Sequence, residues 1–292
     1  MPENKSLRIL FIVNPGSGNN TTDWPQVITE HFAALPHTID LFHLPEDCDL
    51  QKIKDKISEF SPQQVVAVGG DGTIKMVAEC LAKQKIPLGI LPAGSANGLA
   101  KELGISQLPT EALNNLMTGT LKNIHITKVN GHSCIHLSDI GFNAFLIKKF
   151  EAQNGRGMWG YLKASLKVLF NNPLMQVQMQ VNNQAMNIEA AMIVIANGTR
   201  YGSGAVINPV GSIDDQHFEV VAVKKISVNE IFKMTVSHAT YNPKKTEVFQ
   251  TNTLTIRSKR KVHFQVDGEY LGKVNEIKAT ILPGALEVIV PA

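Results

Sequence analysis

Cysteine is scarce in this chain. Cys48, Cys80 and Cys134 are odd in number and far apart among 292 residues, which excludes a disulfide framework or a cysteine metal cluster and favours a reducing compartment. An excess of one charge is lacking too. With 28 Lys and Arg against 25 Asp and Glu, the formal net charge is +3, too mild to point to nucleic acid, and no nucleic-acid partner is expected. Long apolar runs are missing as well. The N-terminal apolar stretch, residues 7–13, contains Arg8 and stops at Asn14 and Pro15. That is far short of the ~20 residues that span a bilayer, and no cleavage-site pattern follows. Two nucleotide signatures are also absent. Gly16-x-Gly18 meets Thr21 where a dinucleotide fingerprint has its third glycine, Gly70-x-Gly72 meets Lys75, and no loop ends in Gly-Lys-Ser/Thr.

What is present is an ordinary globular composition, 43% hydrophobic and 18% charged, in a length that suits two domains. In the first part strands alternate with helices. Residues 7–14, 38–44, 64–68 and 88–91 read as strands; Thr22 or Asp23 and then Asp49 cap two helices, and residues 73–83 form a third. This rhythm predicts a parallel sheet with helices on both faces. Further on, short β runs take over at residues 190–196, 218–223, 253–256, 262–266 and 287–290, with Asn130-Gly131 and Asn182-Asn183 as hairpin turns. Two helices interrupt them, one over residues 158–170 and one opening at Ser227, whose Glu230 completes a capping box. The boundary falls near residue 125, giving domains of residues 1–125 and 126–285.

Three glycine-rich loops follow predicted strands, at Asn14-Pro15-Gly16-Ser17-Gly18, Gly69-Gly70-Asp71-Gly72-Thr73 and Pro92-Ala93-Gly94-Ser95-Ala96-Asn97. Glycine lets a backbone approach a phosphate without Cβ collisions, and the free N–H groups of a following helix form an anion nest. One such loop is equally well a tight strand-to-helix turn. Three at the carboxyl edge of one sheet point to a polyphosphate, with Asp71 aligning a magnesium ion or its water. Asp267-Gly268 between apolar runs reads as a hairpin turn that fixes Glu269 rigidly beside it.

These three loops, in this order and spacing with Asp267-Gly268-Glu269 near the end, resemble the lipid kinases that share a diacylglycerol kinase catalytic domain. Bacterial diacylglycerol kinases, sphingosine kinases and ceramide kinases belong there, and the resemblance covers nearly the whole chain. It implies an α/β plus β fold: an N-terminal three-layer α/β nucleotide-binding domain and a C-terminal antiparallel β-sandwich, with ATP held between them and the strand near residues 286–290 returning to the first. It implies ATP and Mg2+ as cofactors. Asn14, Gly69, Gly70, Asp71, Gly72, Thr73, Gly94, Ser95 and Asn97 would line the ATP site; Glu269 would be the general base, with Asp267 orienting it or the metal. A second magnesium would take the Asp215 side chain and carbonyls of Ser212 and His217, although Gln216 replaces the usual glycine; the alternative is a solvated loop.

The implied partners are a lipid substrate and the inner membrane surface, reached peripherally from the cytoplasm, with homodimerisation left open. Ile140-Gly141-Phe142-Asn143-Ala144 and the helix over residues 158–170 resemble the family's lipid-recognition stretch, or else that helix packs on the sheet. Arg257, Lys259, Arg260 and Lys261 meet anionic headgroups or form a solvated hairpin. The chain departs from the family at Lys75-Met76, Gly98 and Phe145. Phe145, in place of an acid, makes sphingosine a poorer substrate than diacylglycerol, and the three departures together also suit a catalytically weak regulatory protein. A soluble-substrate kinase like NAD kinase is the third alternative.

Overall fold

A computed structural model describes residues 6–18, 22–145, 147, 174–182, 184–201, 205–208, 211–226 and 242–292. The helices expected over residues 158–170 and from Ser227 lie outside the described residues. The chain divides into two compact units, Met1–Ile124 with Gly284–Ala292, and His125–Pro283.

In the first unit, β1 (Arg8–Val13), α1 (Trp24–Phe32), β2 (Thr38–His43), α2 (Leu50–Phe60), β3 (Gln64–Gly69), α3 (Asp71–Leu81), β4 (Leu88–Pro92), α4 (Gly98–Glu102) and α5 (Pro109–Thr118) follow in order. The strands run parallel in the order β4-β3-β1-β2. β3 and β4 are buried at every position, as expected of a parallel sheet covered on both faces. The pleat divides β1: Ile9, Phe11 and Val13 pack with Trp24, Ile28 and Phe32 of α1 and Leu113 and Leu116 of α5, while α2 and α3 pack on each other and on β1, β3 and β4. Burying each such side chain contributes about 1.5–3 kcal/mol. The Asp23 carboxylate accepts from Gln26 N at 3.1 Å and that of Asp49 from Lys52 N at 2.9 Å, capping α1 and α2.

The second unit is antiparallel. It contains β5 (Thr120–Val129, from His125), β6 (His132–Cys134), β7 (Leu137–Gly141), β8 (Met175–Val181), β9 (Gln184–Ala190), β10 (Met192–Ala196), β11 (Arg200–Tyr201), β12 (Ala205–Val206), β13 (Phe218–Val223), β14 (Thr246–Thr251), β15 (Thr253–Val266) and β16 (Glu269–Val290, to Pro283). The main order is β14-β13-β10-β7-β15-β16. Side chains of β10 and β13 alternate between two cores: Ile193, Ile195, Val220 and Ala222 face one, and Met192, Val194, Val221 and Val223 the other. With both faces covered, this unit is the expected β-sandwich.

The two runs expected at residues 253–256 and 262–266 are one strand. β15 pairs with β8 as far as Ser258, then with β7 from Phe264, and its register against β16 shifts between Arg257 and Val262. A bulge of this kind is how a strand passes from one neighbour to the next. From Gly284 onward β16 belongs to the first unit, where Val288 pairs in parallel with Leu88.

Candidate active site

The three glycine loops meet at the carboxyl ends of β1, β3 and β4. Asn14 N donates to Val68 O and Ala93 N to Gly69 O, each at 3.0 Å. A Cβ at Gly18 would overlap the Ala93 carbonyl oxygen, and one at Gly94 would overlap Gly70 Cα. Glycine is therefore demanded by loop against loop before any ligand is considered. Asn14 Nδ2 donates to Thr73 Oγ1 at 2.9 Å, and Asn14 Oδ1 accepts from Gly16 N at 3.0 Å. Asn97 is buried in the left-handed region at φ 49. Its Oδ1 accepts from Gly94 N, and its Nδ2 donates to Gly94 O and to Gln107 Oε1, at 2.9, 2.9 and 2.7 Å. Asn14 and Asn97 thus brace the loops from within.

Gly70 is the N-cap of α3 and gives it no side-chain cap, so the first N–H groups of that helix keep their capacity for an anion. Gly16, Gly72 and Ser95 are exposed around it. The Asp71 carboxylate is turned to its neighbouring loop: Oδ2 accepts from Gly98 N at 3.0 Å and Oδ1 from Leu99 N at 3.1 Å. It ties α3 to α4, a role absent from the magnesium expectation.

In the second unit Asp267 and Gly268 form a two-residue turn with φ of 48 and 87, closing the Val266–Glu269 pair. Positive φ at both positions is the mirror-image turn that suits strand twist. The Asp267 carboxylate accepts from Ile135 N at 3.1 Å, His136 N at 3.0 Å and Leu137 N at 3.1 Å. Its own N–H donates to Leu137 O at 2.8 Å. Asp267 is a structural anchor that holds Glu269, exposed, at the start of β16.

A second support was not foreseen. Gly268 N donates to Gln265 Oε1 at 2.7 Å; Gln265 Nε2 donates to Asp139 Oδ2 at 2.5 Å; Asp139 also accepts from Asn143 Nδ2 at 2.8 Å and Ala144 N at 2.9 Å. Asp139 and Gln265 are buried, and a buried carboxylate is tolerated only when hydrogen-bonded in this way. The network joins the Glu269 turn to the 140–144 stretch. Its signal in the sequence was a polar residue interrupting each of two apolar runs. Phe145 stacks on His263, ring centroids 4.6 Å apart, and His263 Nδ1 lies 2.8 Å from Tyr270 Oη.

Ser212, Asp215 and His217 share one loop. Asp215 Oδ1 accepts from His217 N at 3.0 Å and Oδ2 from Gln250 Nε2 at 3.1 Å, while Ser212 Oγ bonds Asp214. Gln216 stands at φ 65, so the left-handed conformation is kept without glycine. Among the described residues no group of three or more His, Cys, Asp or Glu is placed to hold a metal. Nearby, burial pushes the Glu219 carboxyl up, against a hydrogen bond from Asn208 that pulls it down. Burial pushes the His125 imidazole down, against the pull of Asp215 and Asp214.

Comparison with known proteins identifies the two parts of the chain. Residues 8–129 match the diacylglycerol kinase catalytic domain, and residues 140–290 the YegS C-terminal NAD kinase beta sandwich-like domain. A Staphylococcus carnosus protein provisionally named a lipid kinase is 29% identical over 199 residues, 65% of each chain, so the match spans just under two thirds of that relative. A Chromohalobacter salexigens protein provisionally named a YegS-like lipid kinase is 25% identical over 260 residues, 84% of this chain and 82% of that one. The crystal structure of a diacylglycerol kinase from Bacillus anthracis has the same fold, with a TM-score of 0.74 and 20% identity over 98% of both chains. The chain belongs to the lipid kinase family that joins a diacylglycerol kinase catalytic domain to a YegS-type β-sandwich.

Proposed function

We propose that the chain transfers the γ-phosphoryl group of ATP to the hydroxyl of diacylglycerol or a related lipid alcohol. The observation that carries this reading is the contact of the Gly70 and Gly94 backbones beside the α3 N-terminus, which lacks a side-chain cap. Amides there suit a triphosphate: Gly69, Gly70, Gly72 and Thr73 on one loop, Gly94 and Ser95 on the next, braced by Asn14 and Asn97. Glu269 accepts the hydroxyl proton as the lipid oxygen attacks the γ-phosphorus and ADP leaves. Asp267 positions that carboxylate by fixing its turn. Magnesium supplies charge neutralisation when bound. Asp71 suits a metal-bound water, because a carboxylate has about four acceptor sites and the two amides take two of them. A second magnesium would be held by Asp215 with the carbonyls of Ser212 and His217, the carboxylate keeping acceptor capacity beyond its bonds from His217 N and Gln250 Nε2.

The proposed route to the lipid is from the water side; no helix among the described residues is long and apolar enough to cross a membrane. Phosphoryl transfer from labelled ATP to a panel of lipids in neutral micelles tests the assignment, with diacylglycerol expected to be labelled and NAD not. Labelling of NAD without lipid overturns it in favour of an NAD kinase-like enzyme. Nucleotide binding with no lipid labelled favours the regulatory reading, which the Phe145–His263 stack supports by filling the position of the family's acid.

A further inference from the structure

The β15–β16 hairpin carries a bulge with an unusual load. Arg257 pairs with Glu276 and Val262 with Val274, so Ser258, Lys259, Arg260 and Lys261 oppose the single residue Asn275. Three extra residues must leave the ladder, and the three consecutive cations are all exposed. Ser258 Oγ donates to Arg260 O at 2.7 Å, shaping the bulge from within. Among the described residues no carboxylate lies within ion-pair reach of Lys259, Arg260 or Lys261. The nearest acid in register, Glu276, is already shared by Arg257 at 2.9 Å and Lys278 at 3.3 Å. The adjoining positions of β8 that point outward are Gln176, Gln178 and Gln180, which bring no negative charge.

These five cations and one carboxylate have a net charge of +4. Taking them from the 28 basic and 25 acidic residues leaves 23 and 24, a net of −1. That one corner of the hairpin thus carries a local charge of +4, against +3 for the chain as a whole. Scattered surface lysines are normally interspersed with acids; segregation on one exposed strand bulge suits a broad anionic surface. Glu269 stands on the same β16 strand, six residues before Asn275, or about 20 Å at ~3.3 Å per residue.

We infer that the Arg257–Lys261 bulge, with Lys278, is an electrostatic docking surface for an anionic phospholipid bilayer, which holds the Glu269 end of the hairpin within about 20 Å of the headgroups. The inference rests on the lipid kinase reading for its purpose but is tested apart from it. The assay is co-sedimentation of the full chain, without ATP, on vesicles of neutral phosphatidylcholine and on vesicles containing about 30 mol% phosphatidylglycerol, at rising salt. Binding is expected only to the anionic vesicles and is expected to weaken with salt. Each cation near such a surface is worth about 1 kcal/mol, or about fivefold, so the triple variant Lys259→Gln, Arg260→Gln, Lys261→Gln should bind on the order of 100-fold more weakly. An equal charge loss at the exposed Lys54, Lys83 and Lys85 should leave binding near wild type, and both variants should melt with the wild type. Equal binding to both vesicle types, or unchanged binding by the bulge variant, overturns the inference. So does tighter binding of the same bulge to a duplex RNA competitor. A chain that binds anionic vesicles in this way yet phosphorylates no lipid keeps the docking surface and loses only the kinase reading.

Discussion

Replacing Gly94 by alanine puts the loop geometry under direct strain. The new Cβ overlaps Gly70 Cα and stands 2.8 Å from Asn97 Oδ1 and 3.2 Å from Gly70 N. The obstructing atoms are largely backbone, so no rotamer change relieves them and the β3 and β4 loops must part. Overpacking of this kind costs about 1–3 kcal/mol, and parting the loops disturbs the Asn97 bond from Gly94 N, about another 1 kcal/mol. At about 2–4 °C for each kcal/mol, the melting temperature should fall by roughly 5–15 °C. Gly72→Ala is the matched control. Nothing lies within 4 Å of its Cβ and it occupies the first turn of α3, so loss of unfolded-state freedom should stabilise the free protein by about 0.4–1 kcal/mol. The two variants are compared by thermal melting and by isothermal titration with MgATP, which Gly94→Ala should weaken at least tenfold. A Gly94→Ala protein that melts with the wild type would refute the packing argument. One that melts low but binds ATP normally would separate the loops from the nucleotide.

Three further outcomes are expected. Glu269→Gln should lower lipid phosphorylation by about 10²–10⁴-fold with unchanged melting, because the side chain is exposed; a fully active variant removes the base assignment. Asp267→Asn should destabilise by about 1–3 kcal/mol even without substrate, since an amide can no longer accept all three N–H bonds from residues 135–137; urea denaturation measures it, and an unchanged midpoint would contradict the anchoring role. For His125, burial holds the folded imidazole below its ordinary value of 6.5, so the unfolded chain takes up the proton first. The stability that this confers is complete above that value and is lost as pH falls below it. Melting at about pH 7.5 and about pH 5.5 should therefore show a larger acid loss in the wild type than in His125→Leu, and equal losses would contradict it.

The division between what the sequence revealed and what it hid has one physical cause. Glycine, or Asp-Gly at a turn, is a residue type demanded by backbone geometry. The contact of Gly70 with Gly94 and the positive φ at Asp267 and Gly268 therefore left a mark at the very positions concerned. Burial on both faces likewise marked β3 as an unbroken apolar run. A carboxylate's partners leave no such mark when they are backbone amides, because every residue except proline carries one. Asp71 reaches Gly98 and Leu99, 27 and 28 residues away, and Asp267 reaches residues 130 to 132 positions away. Neither pairing alters the residue types at the donor positions, so the bracing duty that both aspartates carry leaves no trace in the sequence.

The same reasoning assigns different duties within Asp267-Gly268-Glu269. A turn that must keep positive φ at two successive residues needs its first side chain small and anchored, and the three amide bonds to Asp267 meet that need. Gln265, passing from Gly268 N to the buried Asp139, holds the other side of the turn. What remains for chemistry is the next residue, Glu269, which is exposed at the first position of a strand 22 residues long. An acid that must both fix a turn and accept a proton would lose its anchoring whenever it became protonated. Splitting the duties between Asp267 and Glu269 leaves the turn indifferent to the proton that the proposed reaction delivers.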